Sequence, residues 1–165
     1  VREMTFDLLG TAVRGATVLD LFAGTGALGF EALSRGAQRA IFAERHFPTA
    51  DCLRRSSREL GLVDRVDVIP GDVLLWSRRM PPLSADGPWI IFVSPPWSFF
   101  QARLAEINSL LKALAAIAPA DSRLIVESDD QMPIESLPDH FGFNETEGSW
   151  DTRAMLPAIL HQKRL

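Results

Sequence analysis

The chain has 165 residues, 47% of them hydrophobic and 23% charged, a length and balance that suit a single globular domain, residues 1–165, with its own core. No run approaches the ~20 consecutive apolar residues of a membrane span, and Val1-Arg2-Glu3-Met4 opens no apolar stretch of signal-peptide kind, so a cytoplasmic protein with no membrane partner is expected. A net charge of −4 excludes the overall basic surface that usually marks a nucleic-acid binder; the local clusters Arg54, Arg55 and Arg58, Arg78 and Arg79, and Lys163 and Arg164 read first as solvated helix faces.

In chain order, Met4 to Leu9 reads as a short helix over a sheet edge. Thr17 to Phe22 (TVLDLF) is an apolar run of strand formers, followed by a helix from Thr25 to Arg35 that Gly36 closes. Arg39 to Glu44 is a second strand. Pro48 to Leu60 is a helix with Pro in its first turn, Phe47, Ala50, Leu53 and Leu60 roughly on one face, and Gly61 at its end. Val66 to Ile69 is a third strand. The unbroken apolar run Trp89 to Val93 is a fourth, of the kind buried on both faces. Phe100 to Ala118 repeats Leu104, Ile107, Leu111, Leu114 and Ile117 at helical spacing until Pro119 stops it, and Arg123 to Glu127 is a fifth strand. Two weaker strands follow, roughly Phe141 to Trp150 and Arg153 to Gln162, with Asp151-Thr152 as the turn between them. Strand and helix alternate throughout, which predicts an α/β fold: a mostly parallel sheet, helices on both faces and an antiparallel hairpin at one edge.

Asp20-Leu21-Phe22-Ala23-Gly24-Thr25-Gly26-Ala27-Leu28-Gly29 places a G-x-G-x-x-G at Gly24, Gly26 and Gly29, between a strand and a helix. That context turns a weak motif into a nucleotide-type binding loop. Glu44 follows Gly24 by twenty residues, at the end of the second strand, where its two oxygens can accept both ribose hydroxyls of an adenosine. Asp20, four residues before the first glycine, would repel a dinucleotide pyrophosphate and suits a sulfonium and an ammonium, so S-adenosylmethionine is expected rather than a nicotinamide dinucleotide. A cap on the loop backbone is the other reading of Asp20. Asp72, after the third strand, can accept an adenine amino group or cap the next short helix, and the two are compatible. His46, His140 and His161 lack ligand spacing and Cys52 is the single cysteine, so neither a metal site nor an internal disulfide is expected.

Ser94-Pro95-Pro96-Trp97 follows the apolar fourth strand, at the sheet edge where ligands sit. The prolines hold an extended path and offer carbonyls without competing N–H donors. The lone pair of a base's exocyclic amine is delocalised, so catalysis requires acceptors that hold its N–H bonds and aim that lone pair. The Ser94 hydroxyl and the Pro95 carbonyl are candidate acceptors, and Trp97 is a candidate stacking face.

The opening VREMTFDLL, the stretch VLDLFAGTGALGFEALSRGA, the acid in FAE, the tetrapeptide, RLIVE and SWDTRAMLPAIL together resemble the bacterial RsmD-type 16S rRNA guanine-N2 methyltransferases over nearly the whole chain. The resemblance implies a Rossmann-like class I methyltransferase fold. It implies binding of S-adenosylmethionine by Asp20, Gly24, Gly26 and Glu44, with Phe22, Ala23 and Gly29 of the same loop and Asp72 at the adenine. It implies a catalytic loop of Ser94, Pro95, Pro96 and Trp97, and 16S rRNA or a small ribosomal subunit particle as partner of a monomer. It also implies a basic, glycine-containing segment ahead of Val1 that helps to grip RNA. One departure stands out: the family usually has Asp-Pro-Pro followed by Tyr or Phe where this chain has Ser94-Pro95-Pro96-Trp97. An SPPW loop is similar to that of the trimethylguanosine synthases, which modify the same guanine nitrogen, and Ser-Pro-Pro loops occur in amino-cytosine DNA methyltransferases. The alternatives are therefore a cytosine N4 or adenine N6 target, DNA included, or a degenerate domain that binds the cofactor without catalysis.

Overall fold

The computed structural model describes residues 2–76, 78, 87–132, 134–138, 150–155 and 157–165. Its elements are α1 (Arg2–Leu9), β1 (Thr17–Asp20), α2 (Ala27–Ser34), β2 (Arg39–Glu44), α3 (Phe47–Glu59), β3 (Val66–Pro70), α4 (Val73–Trp76), β4 (Trp89–Val93), α5 (Ser98–Ala102), α6 (Leu104–Ile117), β5 (Arg123–Asp129), β6 (Asp151–Met155) and β7 (Ala158–Arg164). The strands form one seven-stranded sheet in the order β3-β2-β1-β4-β5-β7-β6. All neighbours pair in parallel up to β5, and β7 runs antiparallel between β5 and β6. The order reverses between β1 and β4, which opens a crevice at the carboxyl ends of the strands.

Alternation along the central strands divides the core in two. Val18, Phe42, Ile90 and Phe92 face one side and pack with Phe6 of α1, Ala32 and Leu33 of α2 and Leu53 of α3. Leu19, Leu21, Ile91 and Val93 face the other and pack with Ile107, Leu110, Leu111 and Leu114 of α6. A strand buried on both faces must be apolar at every position, and Trp89–Val93 is buried throughout.

Three expectations are corrected. The helix expected from Phe100 to Ala118 is two, broken at Arg103, whose φ of −136° is not helical. The Arg103 carbonyl accepts the first bonds of α6, from the N–H groups of Glu106 and Ile107, and its guanidinium binds Asp72 and Glu106. Along α3, Ala50, Leu53 and Ser57 are buried, but Phe47 at its first residue and Leu60 just past its last are exposed, so the buried face is confined to the middle of the helix. Asp151-Thr152 is not a turn: both residues lie in β6, and β6 joins β7 between Met155 and Ala158, where Pro157 has no N–H to give a ladder. The strand expected from Phe141 to Trp150 falls on residues outside the described set, Trp150 excepted. Among the described residues no helix is long and apolar enough to cross a membrane.

Candidate functional site

The loops after β1, β2, β3 and β4 meet at the crevice, and the first three are tied together around one residue. Glu44 Oε2 accepts the Gly24 N–H at 2.8 Å and Oε1 accepts the His46 N–H at 2.7 Å. The Glu44 carbonyl accepts the Gly71 N–H at 2.9 Å, and the Ala43 carbonyl accepts the Ala23 N–H at 3.0 Å. An ionised carboxylate has about four acceptor sites, so both Glu44 oxygens keep capacity for a ligand.

The three glycines of the loop act differently. Gly24 lines the crevice with a φ of 52° and open space where a Cβ would stand, so a ligand can approach its backbone closely. Gly26 has a φ of 77°, and a Cβ there would press on Leu53 and Phe30. A Cβ on Gly29 would collide with the Phe42 ring, so this glycine sets the close packing of α2 on β2. Asp20 lies beneath the loop, 2% exposed, with Oδ2 accepting the Gly29 N–H at 3.0 Å. Burial pushes its carboxyl up to about 7 from an ordinary 3.8; the Gly29 bond opposes the shift and Glu44 adds to it.

The crevice holds a cavity of about 480 Å³, lined by Phe22, Gly24, Glu44, Asp72, Ser94, Pro95, Pro96 and Trp97 among the expected residues. Asp20, Ala23, Gly26 and Gly29 lie behind that surface. The lining also includes Leu21, Ala43, Arg45, Gly71, Val73 and Glu127, which the motifs did not single out. The signal for Glu127 was the one that found Glu44, an acid ending an apolar strand. Asp72 does two jobs: Oδ1 accepts the Leu74 N–H at 2.9 Å, capping α4, and Oδ2 accepts Arg103 Nη1 at 2.8 Å.

In the tetrapeptide, Pro95 is buried, Ser94 half-buried and Trp97 38% exposed. The Pro96 and Trp97 carbonyls accept the N–H groups of Phe99 and Phe100, starting α5. The Ser94 hydroxyl and Pro95 carbonyl carry no such bond among the described residues and remain available as acceptors toward the cavity they line. Phe99, also unforeseen, is held between Arg45 and Arg103, each guanidinium carbon 5.1 Å from its ring centre. It meets Phe22 edge-on at 6.3 Å. The first turn of α5 is thereby anchored to the loops after β1 and β2 and, through Arg103 and Asp72, to the loop after β3.

The family described as "Conserved hypothetical protein 95" matches residues 1–150. Two proteins named "Ribosomal RNA small subunit methyltransferase D" align with the chain. That of Haemophilus influenzae is 32% identical over 135 residues, which cover 81% of this chain and 67% of that protein. That of Buchnera aphidicola is 33% identical over 97 residues, which cover 59% of this chain and 49% of that protein; the match thus spans about half the length of that relative. A conserved hypothetical protein from Streptococcus pyogenes superposes with a TM-score of 0.77 at 20% identity, covering 99% of this chain and 94% of that one. An RNA methyltransferase from Salinibacter ruber, solved in complex with S-adenosyl-L-homocysteine, superposes with a TM-score of 0.65 at 13% identity, covering 98% and 88%. The fold is that of the class I methyltransferases.

Proposed function

This chain belongs to the family described as conserved hypothetical protein 95, that of the RsmD-type methyltransferases, and we propose that it methylates the exocyclic N2 amino group of a guanine in small-subunit rRNA, with S-adenosylmethionine as donor. The observation that carries the reading is one cavity with a nucleoside-type wall and an amine-type wall: Gly24 and Glu44 on one side, Ser94 to Trp97 on the other. The residues fit the donor. The cavity lies within the ~300–1,000 Å³ of cofactor sites, Gly24 leaves room above its backbone, and the lining offers no cluster of basic side chains for a pyrophosphate, Arg45 being its one cation among the described residues. When bound, S-adenosylmethionine supplies an electrophilic methyl group.

The protein's part is to bind and orient. Glu44 accepts the ribose hydroxyls, Phe22 and Gly24 shape the floor, and Asp72 stands ready for the adenine amine. Asp20, Ala23, Gly26 and Gly29 hold the loop from behind. The Ser94 hydroxyl and the Pro95 carbonyl accept an N–H of the target amine and turn its lone pair toward the methyl group, an alignment that lowers the barrier without covalent participation. Trp97, partly exposed at the cavity rim, stacks on the base, which must leave its helix to arrive there. The test is transfer of labelled methyl to small ribosomal subunits from cells lacking this protein, with mass mapping of the product. N2-methylguanosine is expected; N4-methylcytidine or N6-methyladenosine would move the target to another base, and no transfer to any RNA would leave a binding domain.

A further inference from the structure

Three carboxylates line the cavity: Glu44, Asp72 and Glu127. Glu44 is bonded to Gly24 and His46, and Asp72 to Leu74 and Arg103. The Glu127 carboxylate has no hydrogen-bond or ion-pair partner among the described residues, although the residue is half-buried on β5, where an unpaired carboxylate is costly. Its position is specific. β4 and β5 are parallel with Val93 opposite Val126, so the next positions along, Ser94 just past β4 and Glu127 within β5, stand side by side and line the same cavity.

We infer that Glu127 reads the edge of the target base and makes the site selective for guanine. The inference rests on the amino-group chemistry proposed above and deepens it. On its Watson–Crick edge guanine presents two adjacent donors, N1–H and one N2–H. A carboxylate has only acceptors and pairs with both at once. The second N2–H is left for Ser94 and the Pro95 carbonyl, so both amine hydrogens are held in the base plane and the lone pair points out of it. Adenine and cytosine present one donor beside a ring-nitrogen acceptor, and that acceptor would face a carboxylate oxygen with no proton between them. Rejection arises from lone pairs opposed with no proton between them, a stronger filter than shape.

The experiment uses dye-labelled single-stranded RNA oligomers, uridine throughout except for one central guanine or 2-aminopurine. 2-Aminopurine keeps the N2 amine and replaces N1–H by a lone pair. Binding is read by anisotropy with the protein saturated in S-adenosylhomocysteine, and methyl transfer is followed on the same oligomers with labelled donor. Wild type is expected to favour guanine by roughly tenfold or more in both readouts, as for a bidentate base contact. Glu127→Gln keeps the size but offers one acceptor and one donor, so its preference is expected to reverse toward 2-aminopurine. A merely structural Glu127 would lower both substrates equally; that outcome, or an unchanged ratio, overturns the inference. Glu127→Ala is expected to erase the preference, and a retained preference overturns it too. Wild-type transfer to guanine with a ratio indifferent to residue 127 removes only the reader. Wild-type failure on every guanine-containing RNA, small subunits included, removes the amino-group reading and the inference with it.

Discussion

At the residue scale, the position that departs from the usual loop is the one that tests the chemistry most sharply. Ser94 stands where the resemblance to the family leads one to expect an aspartate. A hydroxyl accepts an N–H less strongly than a carboxylate, since charge-assisted hydrogen bonds are roughly twice as strong as neutral ones. Ser94→Ala is expected to slow the methyl step in single-turnover transfer to small subunits while affinity for the donor stays nearly unchanged. Ser94→Asp is expected to keep or raise the rate. An inert wild type rescued by Ser94→Asp would make this chain a degenerate binder, and a Ser94→Ala enzyme equal to wild type would leave the alignment to the Pro95 carbonyl alone. Glu44 is tested through the donor. Both of its oxygens bind loop backbone, and the residue lines the cavity, so Glu44→Ala removes the proposed ribose acceptors and loosens Gly24 together. Calorimetry with S-adenosylmethionine should show a loss of roughly 1.5–3 kcal/mol for each charged hydrogen bond removed, and an unchanged affinity would turn Glu44 away from the ligand.

At the scale of elements, α2 on β2 shows how the glycine loop is held. The two approach until Gly29 touches the Phe42 ring, and that approach puts the Gly29 N–H on Asp20. Gly29→Ala should therefore overpack the contact and cost about 1–3 kcal/mol of stability, read by urea unfolding; a neutral substitution would show that α2 can slide outward freely. The strand–loop–helix unit around this contact was legible in the sequence because an apolar run, a glycine spacing and a helical period adjoin without a gap. The parallel pairing of the first five strands followed from the alternation of elements. Less legible was the break at Arg103: Phe100 and Leu104 are four residues apart, so the apolar period runs on through a residue whose backbone leaves the helix to let its side chain reach Asp72. The hairpin turn was misplaced because Asp151-Thr152 has turn chemistry, whereas ladder pairing of Asp151 with Gln162 and Thr152 with His161 wins. Arg45, Phe99 and Glu127 escaped notice because their meaning depends on which strand ends are neighbours, and that is fixed by the crossover between β1 and β4, not by local sequence.

At the scale of the whole molecule, one arginine of each basic cluster is paired locally among the described residues. Arg54 binds Asp51 and the Val68 carbonyl, Arg78 reaches Glu106, Arg39 binds Asp67, and Arg164 binds Asp121. Such exposed pairs contribute little to stability, about 0–1 kcal/mol each, and they lower the attraction of the clusters for phosphate. The titration with the larger consequence for stability is internal. Asp20 lies between β1 and the start of α2, where burial raises its carboxyl to about 7 against an ordinary 3.8. Between those two values the folded protein holds a proton that the unfolded chain has released, so this group's contribution to stability falls as pH rises through that window and levels off above it. A tenfold difference in proton affinity between the folded and unfolded chain corresponds to about 1.4 kcal/mol, so the cost at pH 8 relative to pH 4 is on the order of a few kcal/mol. Asp20→Asn keeps an oxygen for the Gly29 N–H and removes the titration. In urea unfolding from pH 4 to pH 8, the variant and wild type should be nearly equally stable at the acid end, and the variant should gain steadily to an advantage of a few kcal/mol at the alkaline end. Taking the difference between the two proteins cancels the carboxylates that do not interact with Asp20, since these titrate alike in both. A difference independent of pH would mean that Asp20 stays ionised throughout, held by Gly29 and the loop backbone strongly enough to outweigh its burial.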